Sequence, residues 1–204
     1  MKLPQRCSAL LVAAIPFGAL LCGCRDEPIE IEAVLVLQTP MAELDEGQLA
    51  QLEHARGAKD LLFTQLFSAL SSAMVEGGPE AAITVCKERA PQLAREVSEK
   101  TGVEVGRTSW KLRSGANEPP SWLAASLESK PEEPVILVGS DGSLMATEPI
   151  RTADVCVKCH GPAEMLAEGV AERLAELYPD DRATGFAPGS LRGWFWMKVP
   201  GAEM

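Results

Sequence analysis

Apolar residues recur at three- and four-residue spacing from Ala42 to about Glu76, with Leu49, Leu52, Leu62, Leu66, Phe67, Leu70 and Met74 on one stripe. That period predicts an amphipathic helix, with Gly57 as its weak point. Gly77-Gly78 should end it, and Pro79 suits the first turn of a second helix running to Thr101. In the second helix Ile83, Cys86, Ala90, Leu93, Ala94 and Val97 share a face, so Cys86 is expected to point inward. Pro91 falls inside this run and predicts a kink or a break after Ala90.

Beyond Thr101 the period shortens. Val103 to Arg113 alternates like a strand, and a Gly/Asn/Pro loop from Gly115 to Pro120 leads into a short helix near Trp122 to Leu127. Val135–Gly139 and Ser143–Ile150 flank Asp141-Gly142, a tight-hairpin signal. Met165, Leu166, Val170, Leu174 and Leu177 mark another helix. Trp194 to Val199 reads as a last strand with Phe195, Met197 and Val199 on one face. Helices first, then mostly antiparallel strands with a helical insertion, make an α+β layout.

The first residues read differently. Lys2 and Arg6 precede an apolar stretch from Leu10 to Leu21, broken at Pro16, and Leu21-Cys22-Gly23-Cys24 follows. This has the form of a secretory signal, too short for a comfortable span. The tetrapeptide resembles a bacterial lipobox, with cleavage before Cys24 and lipid on that residue. Arg25 stands where an inner-membrane retention Asp would be, and the resemblance to bacterial lipoproteins then implies outer-membrane anchoring on the periplasmic side. The expected division is therefore a leader at 1–23, a tether at 24–41 and a single domain at 42–204. Within the tether, residues 29–37 are unusually apolar, which suits an edge strand or a contact surface.

Net charge is −10, and the leader removes two bases and no acids. So acidic a domain would repel a phosphate backbone, which argues against nucleic-acid binding and tolerates a basic redox partner. After cleavage the cysteines are Cys24, Cys86, Cys156 and Cys159.

The last two sit in Cys156-Val157-Lys158-Cys159-His160, the C-x-x-C-H pattern of c-type haem attachment. On one helical turn positions i and i+3 share a face, so both thiols can reach the two vinyl groups of one haem edge. His160 would then be an axial iron ligand. A structural zinc site needs four ligands, and outside the motif only Cys86 and His54 are on offer. A redox dithiol lacks its β-α-β context, and a plain disulfide leaves His160 without a role. One covalent haem c is the expectation. The opposite axial position could be taken by Cys86, His54, a methionine such as Met74 or Met197, or nothing. Taken alone, Cys86 is also a common kind of buried small hydrophobe. Haem propionates need cations, and Arg107, Lys111 and Arg113 alternate along one predicted strand face, with Arg182 and Arg192 later. A solvated charged strand explains them as well.

Several motifs occur together in one order: Ala82 to Pro91 around Cys86, Gly106-Arg107-Thr108-Ser109, Leu112-Arg113, Asn117, Cys156 to His160, Asp181 to Phe186, and Leu191-Arg192-Gly193. In this the chain resembles the Tll0287-like haem domain family from about Ala42 to Pro200. The loop Arg113 to Pro119 departs from the family's more usual Asn-Pro after the Arg. The resemblance implies a PAS-like antiparallel sheet with added N-terminal helices and a haem-bearing helical insertion. It also implies iron held between His160 and the helix cysteine, Cys86.

An anionic thiolate would lower the reduction potential, and reduction could release Cys86. Redox or small-ligand sensing, or electron transfer, through a protein partner is the expected function. The alternative is a haem enzyme, a peroxidase or gas-handling protein with an open distal site. It needs a distal acid–base residue, and the only histidines are His54 and His160. No enzymatic activity is expected.

Overall fold

One glycine folds the first half of the chain back on itself. The structure is a computed structural model and describes residues 35–201; the leader, Cys24 and residues 29–34 of the apolar run lie outside them. Helix α1 (Glu46–Thr101) is helical throughout except at Gly78, which has φ 70° and ψ −165°. At the far ends, His54 Nε2 lies 2.9 Å from the Thr101 carbonyl oxygen. The two arms therefore run antiparallel, with Gly77-Gly78 at the tip as expected. A capping box starts the first arm: the Asp45 carboxylate accepts the Gln48 N–H at 2.8 Å, and Gln48 Oε1 accepts the Asp45 N–H at 3.0 Å.

Nothing stands within 4 Å of the place a Cβ on Gly78 would occupy. The cost of Gly78→Ala is then backbone strain alone, about 1–3 kcal/mol. It should appear as a lower urea midpoint with an unchanged slope.

Alanines share the packed face of the hairpin with larger apolar residues. Ala55, Ala58 and Ala90 are buried with Leu52, Leu62, Leu66, Leu93 and Val97. Leu49 and Phe67 leave the predicted stripe and are 45 % and 50 % exposed. The predicted break at Pro91 does not occur. Proline deletes only the bond to the Lys87 carbonyl, and Lys87 is exposed, where water can replace it.

Five antiparallel strands form one sheet in the order β1-β3-β4-β5-β2: β1 (Val36–Gln38), β2 (Glu104–Thr108), β3 (Val135–Gly139), β4 (Leu144–Arg151) and β5 (Leu191–Val199). Of the two readings of residues 29–37, Val36 and Leu37 form an edge strand, β1 pairing with β3. The side chains of Val105, Ile136, Leu144, Ala146, Phe195 and Met197 pack under α1. The opposite face, with Trp194, is covered by Leu123 and Leu127 of α2 (Ser121–Leu127). Mixed helix and antiparallel sheet is the expected α+β class.

Two boundaries differ from expectation in ways that matter for the site. Strand β2 stops at Thr108 rather than Arg113. There Ser109 Oγ donates to the Arg192 carbonyl at 2.8 Å and accepts the Lys111 N–H at 3.0 Å, which turns the chain away. Gly193 makes this possible, because a Cβ there would collide with the Thr108 carbonyl. Between β4 and β5 the chain inserts α3 (Val157–His160), a 3-10 turn (Ala163–Met165) and α4 (Val170–Leu177). Met165 and Leu166 precede α4 instead of opening it, since Gly169 takes φ 78° at its start. Among the described residues no helix is long and apolar enough to cross a membrane.

Candidate functional site

The C-x-x-C-H residues form one helical turn. The Cys159 and His160 N–H groups both donate to the Cys156 carbonyl, at 3.1 and 2.9 Å, and the Gly161 N–H donates to Val157 at 2.9 Å. Cys156 and Cys159 therefore share a face, and both are free thiols, half-buried.

His160 is the best-held side chain here. Its Nδ1 lies 2.7 Å from the Ala183 carbonyl oxygen. A carbonyl can only accept, so Nδ1 carries the proton and Nε2 keeps its lone pair. Metal-binding histidines commonly use this tautomer, fixed by a backbone acceptor. Burial, with the Arg113 and Arg192 charges, holds the imidazole well below its usual range, so it is neutral. The segment that supplies the acceptor wraps the turn: the Phe186 N–H donates to the His160 carbonyl at 2.9 Å and Gly185 to Gly161 at 2.8 Å.

What anchors that segment is Arg113. Its guanidinium pairs with Asp181 at 3.1 Å and donates to the carbonyls of Cys159 at 2.6 Å and Ala183 at 3.3 Å. Both partners are buried, with side chains 8 % and 9 % exposed. Asp181 in turn accepts the Ala183 N–H at 2.7 Å. The predicted face of alternating Arg107, Lys111 and Arg113 is thus corrected: β2 ends first, and Arg113 arrives from the loop as a clamp. Its Nε and Nη2 make these contacts, and among the described residues Nη1 has no partner. Lys111 reaches the Thr184 carbonyl at 3.2 Å and lies 5.1 Å over the Phe186 ring. Arg182 is exposed, and only its backbone is engaged, donating to Leu112.

Cys86 comes to the same place from the second arm of α1. Its neighbour one turn back, Ile83, packs with Val170, Leu174 and Tyr178 of the insertion, and Cys159 joins that cluster. Lys87 ties the arm down by donating to the Leu177 carbonyl at the end of α4 at 2.7 Å. Burial pushes the Cys86 thiol up, against an opposing pull from Arg107, Arg113 and Arg192. The register pairs Arg107 with Phe195, on the α1 side of the sheet. Among the described residues its guanidinium has no carboxylate or hydrogen-bond partner. Burial lowers its pKa, while Cys86 and then Tyr178 raise it. Tyr178 is pushed up to about 12, by burial and then by Cys86.

The other candidate ligands lie elsewhere. His54 sits at the open end of the hairpin, about fifteen residues of helix from Cys86 along the second arm, or roughly 22 Å. Met197 is fully buried in the main core, and Met74 is half-buried on the first arm. Among the described residues no three His, Cys, Asp or Glu side chains converge as a bare-metal site. Cys86, Cys156, Cys159 and His160 are gathered instead around Arg107, Arg113 and Arg192. Asp181, Ala183 and Phe186 carry functions that pattern alone did not assign. Their one visible signal was the run Asp181 to Phe186.

Two comparisons bear on this arrangement. The crystal structure of the cyanobacterial heme-protein Tll0287 shares the fold with a TM-score of 0.56 at 20 % identity, over 79 % of this chain and 99 % of that one. No curated protein matches. Residues 32–200 match the Tll0287-like family, and the chain belongs to that family.

Proposed function

We propose that this chain is an exported haem protein, anchored by lipid on Cys24 to the periplasmic side of a bacterial outer membrane, with one haem c attached at Cys156 and Cys159. The iron would be held by His160 and Cys86, for redox or small-ligand sensing or for electron transfer with a protein partner. The observation that carries this is the C-x-x-C-H turn, with two free thiols on one face and His160 fixed with Nε2 available.

The residues present fit the group. Two thiols at i and i+3 would suit thioether linkage, and the neutral imidazole of His160 and the thiol of Cys86 would supply iron donors of the right chemistry. Arg107 has no partner among the described residues and suits a propionate or a thiolate. When bound, the haem supplies an iron that changes charge by one electron. The chain's own residues then decide how that change is felt. Cys86, as a thiolate, would favour the ferric state, while Arg107 and Arg192, which have no carboxylate partner among the described residues, would oppose it. Burial that pushes the Cys86 thiol up also favours its protonation once it is off the metal. Cys86 would therefore be the donor whose hold on the iron depends on the oxidation state. Distal acid–base catalysis finds little support, since His54 is tied to Thr101 far from the cluster. The Tll0287 crystal structure is of a heme-protein, which agrees with the reading.

Optical and EPR spectra of the purified full chain test it. A low-spin ferric state with a thiolate signature is expected. A high-spin ferric state would instead indicate an open distal site and favour the enzyme alternative.

A further inference from the structure

Arg192 stands beside His160 in a way that propionate binding does not explain. Its Nε lies 3.4 Å from His160 Nδ1. That nitrogen already donates its proton to Ala183, so it cannot also accept from Arg192. The contact is a charge set against the ring. The guanidinium is seated by Phe186, whose ring centroid is 4.8 Å away, and donates through Nη1 to the Lys111 carbonyl at 3.4 Å. Phe186 is itself braced edge-on by Trp110 at 5.8 Å.

The three arginines of the cluster are placed differently. Arg113 is compensated by Asp181. Among the described residues neither Arg107 nor Arg192 has a carboxylate partner, but Arg107 stands across the site toward Cys86 and Arg192 stands on the imidazole side.

We propose that Arg192 acts through His160 as a positioning residue and raises the reduction potential by a charge that no carboxylate partner offsets. A cation at this range disfavours the more positive, ferric state, in a half-buried site where screening is weak. The Cys86 thiolate pulls the other way. On this account the potential of the site is a balance between Cys86 and the cations around it, with Arg192 the one that acts on the imidazole side. The inference rests on haem being held by His160.

The test uses the haem-loaded full chain as wild type, Arg192→Gln and Arg192→Lys, with midpoint potentials from spectroelectrochemical titration. Arg192→Gln should lower the midpoint, and Arg192→Lys should restore most of it. Phe186→Leu, which removes the seat and keeps the charge, should lower it by less than Arg192→Gln, and it keeps the test open if Arg192→Gln does not fold. A glutamine variant that loads haem and titrates at or above the wild-type midpoint overturns the inference. So does a lysine variant as low as the glutamine one. Wild-type protein that carries no haem defeats the underlying reading instead, so the two failures are distinguishable.

Discussion

Asp181→Ala is expected to destabilise the fold by about 3–5 kcal/mol, the usual cost of leaving a buried charge without its partner. Arg113 would keep its positive charge with its side chain 8 % exposed, next to Arg107 and Arg192. The Ala183 N–H would lose its acceptor as well. Substitution by Asn keeps an acceptor of the same shape and should cost clearly less. Urea unfolding of the three proteins measures this, and the m-value should stay constant if only stability has changed. A double variant with Arg113→Met should recover part of the loss, because the stranded charge is then gone. If Asp181→Ala unfolded within 1 kcal/mol of wild type, the Arg113–Asp181 pair would not be what fixes the segment around His160.

The second large effect is all-or-none. The double variant Cys156→Ser, Cys159→Ser should hold no haem through denaturation, while each single variant keeps one possible linkage and should load at reduced yield. Serine preserves size and leaves the α3 turn intact, since its hydrogen bonds are made by backbone groups. Far-UV circular dichroism of the double variant should therefore remain close to that of wild type. Haem staining on a denaturing gel, normalised to protein, reads the outcome. A double variant that stained like wild type would place the linkage elsewhere.

What could be read from sequence alone was local. The reversal at Gly77-Gly78 was legible because only glycine is at ease at φ 70°, and a proline follows it. The hairpin at Asp141-Gly142, the last strand and the α+β class were legible from period and turn chemistry. The C-x-x-C-H turn was legible because its geometry is contained in five residues. Long-range partnerships were not. Nothing near Arg113 says that its carboxylate stands at Asp181, so its alternation with Arg107 suggested a strand that β2 does not extend to form. Apolar period also overstated Leu49 and Phe67, which the fold leaves about half exposed while Leu52, Leu62 and Leu66 are buried. Pro91 misled for a related reason: its missing hydrogen bond falls on an exposed turn, where it costs little. The anchor at Cys24 lies outside the described residues and remains a proposal, as do export and the partner.

The central claim is covalent attachment of one haem to this polypeptide. It is tested most directly by the denatured mass of the full chain, matured in a host that builds c-type cytochromes. The account predicts a mass increased by that of a single haem, with the increment localised to the peptide containing Cys156 to His160. An unmodified Cys156–His160 peptide from such a host would contradict it.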